Sequence, residues 1–111
     1  MTEKCLGKIT SAEFGTVRDY PFLMGLQLHF SLNGGSSGIG DGGKYTVNIG
    51  PDCKWSNPED RAIAVTQMVD WVRTIFKDAK VGYVSDLVGK PVEVTLENNC
   101  FKDFRILKEV L

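Results

Sequence analysis

The sequence predicts an α+β fold: about five mostly antiparallel strands curved around one long central α-helix, within a single domain spanning residues 1–111. Three observations carry this expectation. Residues 57–80 repeat apolar side chains at helical spacing, with start and stop signals at both ends. Residues 22–32 and 90–97 alternate apolar with polar side chains, the period of a half-buried strand. Strand-like segments also stand on both sides of the helix, an order suited to one sheet covered by one helix.

Residues 4–14 read as a first strand, with an alternation that is not clean, and 15–21 as a connection punctuated by Gly15 and Pro21. Residues 22–32 give the clearest strand. Phe22, Met24, Leu26, Leu28, Phe30 and Leu32 share one face, and Gln27, His29 and Ser31 the other. Residues 33–43 hold six glycines in eleven positions (NGGSSGIGDGG) and read as a loop. Residues 45–49 form a third strand that sets Tyr45, Val47 and Ile49 against Thr46 and Asn48.

In the helix, Asn57 caps the free backbone donors, Pro58 suits the first position, and Glu59 and Asp60 complement the dipole. Ser56 with Glu59 offers a second capping register. Ala62, Val65, Val69, Val72, Phe76 and Ala79 form one apolar stripe, and Ala64, Met68, Trp71 and Ile75 a second beside it. The helix is expected to carry the core, with Val69 and Val72 buried. Two stripes on one helix also point to a homo-oligomer, with Met68 and Trp71 at its interface. In residues 81–89, S-D-L-V-G reads as one helical turn capped by Ser85 and closed by Gly89. Residues 90–97 and 101–110 form the last two strands, joined by Asn98-Asn99, residues that tolerate positive φ. Phe101 and Leu107 break the parity of the last strand, which points to a bulge or to burial on both faces.

Composition narrows the function classes. Hydrophobic content of 42% and charged content of 24% are those of an ordinary globular chain. A formal net charge of −1 disfavours a duplex nucleic-acid binder that relies on a broad basic surface. No apolar run approaches a membrane span and the N-terminus lacks a signal-peptide core, so the cytoplasm is the expected compartment. Cys5, Cys53 and Cys100 show no metal or redox spacing, and His29 is the single histidine. No metal, no cofactor and no catalytic residue is therefore assigned. A binding role is expected ahead of an enzymatic one.

The glycine-rich segment matches neither a phosphate-binding P-loop nor a dinucleotide fingerprint, which leaves a mobile hairpin loop or a loop that orders over a ligand. The ligand reading places a site where this loop meets the start of the helix. Ser36, Ser37, Gly38, Gly40 and Asp41 offer backbone and side-chain hydrogen-bonding groups there, and Lys44 and Arg61 offer positive charge. Trp55 and Tyr45 would stack a base, although Trp55 serves equally well as a staple on the first helical turn.

Three segments, GKITSAEFG at 7–15, GIGD at 38–41 and the ending at 78–111 that includes GKPVEVTLENN and FKDFRILKEVL, resemble a family of small uncharacterised bacteriophage and prophage proteins. The resemblance spans nearly the whole chain and implies origin more than function. It implies the host-cell cytoplasm as the place of action and a counter-defence role. On that footing the leading expectation is a protein that sequesters a nucleotide-type immune signalling molecule of the host. The alternative is a protein–protein inhibitor of a host defence nuclease, anti-CRISPR-like, or a phage recombination accessory protein.

Overall fold

A computed structural model describes residues 2–111. Its strands are β1 (Thr2–Val17), β2 (Tyr20–Leu32), β3 (Ser37–Gly40), β4 (Thr46–Asn48), β5 (Pro91–Glu97) and β6 (Cys100–Ile106), and its helix is α1 (Pro58–Ala79). Among the described residues the fold is therefore α+β with a six-stranded antiparallel sheet, one strand more than the sequence suggests. The sheet order is β3-β2-β1-β5-β6, and β4 pairs with β2 beyond the end of β3.

Strand length and register follow from the pleat. β1 and β2 form a long hairpin closed at Val17↔Tyr20, so residues 15–21 are mostly ladder, with Gly15 opposite Gly25. The uneven alternation of β1 comes from a bulge. Ile9 faces Phe30 and Ser11 faces His29, so the extra residue Thr10 lets Ile9 and Ala12 point to the same side. Cys5, Ile9, Leu26, Leu28, Phe30, Leu32, Val92, Val94, Phe104 and Ile106 then line one buried face. The residues of opposite parity, including Lys4, Lys8, His29 and Arg105, are exposed on the other face.

The helix starts and stops where its signals stand. Asn57 accepts a hydrogen bond from the Asp60 N–H at 3.0 Å, so the Asn57 cap is used and the Ser56 register is not. Lys80 ends the helix in the left-handed conformation, its N–H and that of Val81 closing on the carbonyls of the last turn. The expectation of a helix at the centre of the core needs correction. α1 contributes Met68, Ile75 and Ala79 to the buried set, while the sheet supplies most of the rest. Val69 is 50% exposed, and Val72 packs against the core without being fully buried. Both stripes take part: Met68 and Ile75 of one are buried, as is Ala79 of the other, and Val72 and Phe76 pack against the core beside it. Met68 is buried within its own chain and so cannot serve as an exposed interface residue.

Two turns and one bulge complete the course of the chain. The turn after α1 is a 3₁₀ helix over Val84–Leu87 that begins one residue before Ser85 and has no side-chain cap, and the Gly89 N–H donates to the Ile9 carbonyl at 2.7 Å. Asn98 and Asn99 both take positive φ, 53° and 65°, as the hairpin between β5 and β6 requires. The parity break in β6 is a bulge. Leu96 faces Phe101 and Thr95 faces Asp103, leaving Lys102 as the extra residue, and the strand ends at Ile106.

Candidate functional site

The glycine-rich stretch is structured by its own backbone. Asn33, Gly34 and Gly35 make a left-handed turn with φ of 53°, 73° and 95°. Ser37 to Gly40 return as β3, with Gly38 opposite Ser31 and Gly40 opposite His29. Ser36 bonds the Asn33 carbonyl across the turn. The glycines thus have a folding role: positive φ at the two turns, and room beside Phe30 and the His29 ring at Gly38 and Gly40.

Asp41 is the hinge on which the segment turns. It is buried, and its carboxylate continues the ladder where β3 stops. Oδ2 accepts from the Leu28 N–H and Oδ1 from the Gly43 N–H, each at 3.0 Å, while the Asp41 N–H donates to the Leu28 carbonyl at 3.1 Å. Burial raises its pKa above the ordinary carboxylate value, and the two backbone donors only partly offset that effect.

The chain leaving Asp41 carries Lys44 and Tyr45 to the far edge of the sheet. Lys44 Nζ donates to the Lys102 carbonyl at 2.9 Å and pairs with Asp103 Oδ1 at 3.3 Å. Tyr45 is buried between α1 and β6, edge-on to Trp71 (centroids 6.0 Å apart) and to Phe104 (5.9 Å). Its phenol pKa is raised, first by burial and then by the nearby Asp103 and Asp41 carboxylates. These contacts border a cleft of about 340 Å³ between α1 and β6. Its apolar wall is Tyr45, Trp71, Ile75, Phe104 and Ile106, and its rim carries Lys44, Asp78, Asp103 and Arg105. Trp71 is 37% exposed, so part of its indole is open to a ligand. The volume lies at the small end of the range for small-molecule sites.

Of the residues assigned from sequence, the structure brings Lys44 and Tyr45 into this cleft. Ser36, Ser37, Gly38, Gly40 and Asp41 serve the β2–β3 hairpin and its exit. Arg61 is exposed in the first helical turn, and neither it nor Trp55 lines the cleft. Trp55 is partly buried in the approach to α1, and its Nε1 donor has no partner among the described residues. Sequence reasoning missed Asp78, Asp103 and Arg105 altogether, and read Trp71 as core or dimer interface. No local signal could have found the pair at the cleft mouth, because the Lys44–Lys102 contact joins positions 58 residues apart.

Among the described residues no group of His, Cys, Asp and Glu is placed to hold a metal ion, and no helix is long and apolar enough to cross a membrane. Compared with protein-family models, with curated proteins and with solved structures, the chain matches none.

Proposed function

We propose that the protein is a small-molecule binder that captures a nucleotide-type ligand in the α1–β6 cleft, acting as a sequestering protein rather than a catalyst. The observation that carries this reading is the pairing of a half-open indole, Trp71, with a cation, Lys44, across a wall of buried aromatic rings. A planar base packs on such a wall, and stacking is worth about 1–3 kcal/mol per base. The volume suits one mononucleotide-sized group. The resemblance of residues 7–15, 38–41 and 78–111 to phage proteins supplies the setting, in which the captured molecule is a defence signal of the host.

A second reading, inhibition of a host protein by surface contact, is favoured by the far end of the β1–β2 hairpin. There Phe14, Tyr20 and Phe22 are exposed, the last two in edge contact at 6.0 Å. Calorimetric titration of linear and cyclic nucleotides separates the two. Capture in the cleft predicts binding by wild type, loss of binding in Trp71→Ala, and unchanged binding in Arg61→Ala, which lies outside the cleft. If wild type binds no nucleotide, the surface reading takes its place.

A further inference from the structure

Two donors of different chemistry meet one carboxylate at the mouth of the cleft, with a phenol close by. Asp103 Oδ1 accepts from the Phe104 N–H at 2.8 Å and from the Lys44 ammonium at 3.3 Å, and the Tyr45 phenol is held beside the same side chain. A backbone N–H, an ammonium and a phenol are the groups that oxyanion sites use. The carboxylate that fills this arrangement is the least anchored part of it. The Asp103 side chain is 60% exposed, and it stands on the outer edge of the sheet directly after the Lys102 bulge. Lys44 and Tyr45, by contrast, are held from below by the Lys102 carbonyl and by the Trp71 and Phe104 rings.

We propose that Asp103 is an internal stand-in for a ligand's oxyanion, a clasp that occupies the anion position at the mouth of the α1–β6 cleft until a phosphate or carboxylate displaces it from Lys44 and the Phe104 N–H. This rests on the cleft reading given above and deepens it by naming the ligand class: a planar apolar body bearing one compact oxyanion. The anion takes the Lys44 end, and the body lies along Trp71 and Ile106. Thr74 and Asp78, the latter paired with Lys108 Nζ at 3.6 Å, also line the cleft. The clasp also accounts for a cation that is already paired in the free protein. The neighbouring exposed carboxylate is a weak partner, one that a doubly charged phosphate can outcompete.

The test compares wild type, Asp103→Ala, Asp103→Asn and Asp103→Ala/Lys44→Gln by calorimetry. Probes are inorganic phosphate, adenosine monophosphate and benzoate, and urea unfolding of each variant checks the fold. Asp103 is exposed, so both single variants are expected to fold, and the asparagine variant keeps a side chain of the same shape. Removing the carboxylate should tighten phosphate and adenosine monophosphate about tenfold or more, and adding Lys44→Gln should erase the gain. Tightening of benzoate as well would assign the site to oxyanions generally, and tightening of the phosphates alone would assign it to phosphate. If wild type binds adenosine monophosphate and both Asp103 variants bind it no more tightly, the clasp is refuted while capture in the cleft stands. If only the Asp103 variants bind, the clasp stands and capture of these nucleotides by the unmodified protein does not. A gain that survives Lys44→Gln refutes the clasp.

Discussion

Replacing Asp41 with alanine should destabilise the protein by about 2 kcal/mol, a large share of a total of roughly 5–15. The magnitude follows from which donors lose their acceptor. The Leu28 N–H points along the sheet toward Asp41 and is buried, and leaving such a group unpaired costs about 1–3 kcal/mol. The Gly43 N–H is only part-buried and recovers much of its bond from water, so it adds about 0.5–1 kcal/mol. Relief of the carboxylate's own desolvation offsets part of this sum, because burial already raises the Asp41 pKa. Urea unfolding followed by circular dichroism measures the change, with the slope expected to stay constant. Asp41→Asn should fall between wild type and alanine, since its one carbonyl oxygen can accept from only one of two donors that now occupy separate oxygens. The pH dependence has a definite sign. A carboxyl whose folded pKa lies above its ordinary 3.8 contributes stability that is complete below that value and is lost as pH rises through the folded value. The stability gap between wild type and Asp41→Asn should therefore be widest in acid and shrink as pH is raised. An alanine variant within about 0.5 kcal/mol of wild type would refute the account of Asp41 as a ladder substitute, and a gap that widens with pH would refute the dominance of burial over its two backbone donors.

Other substitutions test the packing and the site. Val69→Asp should fold and melt within about 0.5 kcal/mol of wild type, because half of Val69 is in water. Ile75→Ala, on the buried side of the same helix, should cost about 2–5 kcal/mol by urea unfolding. Gly25→Ala should detach β4 at a cost of several kcal/mol, since its methyl group would collide with the Tyr45 carbonyl oxygen and φ there is 154°. Faster hydrogen exchange at Leu26, whose N–H donates to that carbonyl, would report the detachment. Lys44→Gln should change stability by less than about 1 kcal/mol, as expected for a partly exposed ion pair, while weakening any anionic ligand of the cleft.

What could be read from the sequence was local. Asn57, Pro58 and the acidic first turn fixed the start of α1 because capping is decided within four residues. Asn98-Asn99 marked the last hairpin for the same reason. β3 was hidden because Ser37-Gly38-Ile39-Gly40 pairs through its backbone and shows almost no side-chain periodicity, so its glycines read as a loop. The choice between two adjacent helical stripes was also out of reach. Either could face a sheet, and the sheet, built from strands at both ends of the chain, takes residues from both, Met68 and Ile75 from one and Ala79 with Val72 and Phe76 from the other. The cleft depends on Lys44, Trp71 and Asp103 meeting across three separate elements, which no spacing rule records.

The pairing of β1 with β5 has a consequence for how the chain is made. Their register runs from Thr2↔Glu97 to Lys8↔Pro91, partners more than eighty residues apart. During synthesis the β1–β2 hairpin can therefore close early, yet one flank of β1 waits unpaired until β5 has left the ribosome. Nascent chains on neighbouring ribosomes would present that flank to one another. Lys4 and Lys8 stand along it, and like charges at such an open margin discourage strand exchange between chains. The long-range closure also makes this a slow-folding topology for its size, with final assembly gated by translation rather than by the helix. Truncated chains that stop before residue 91 should accordingly be the form most prone to aggregate.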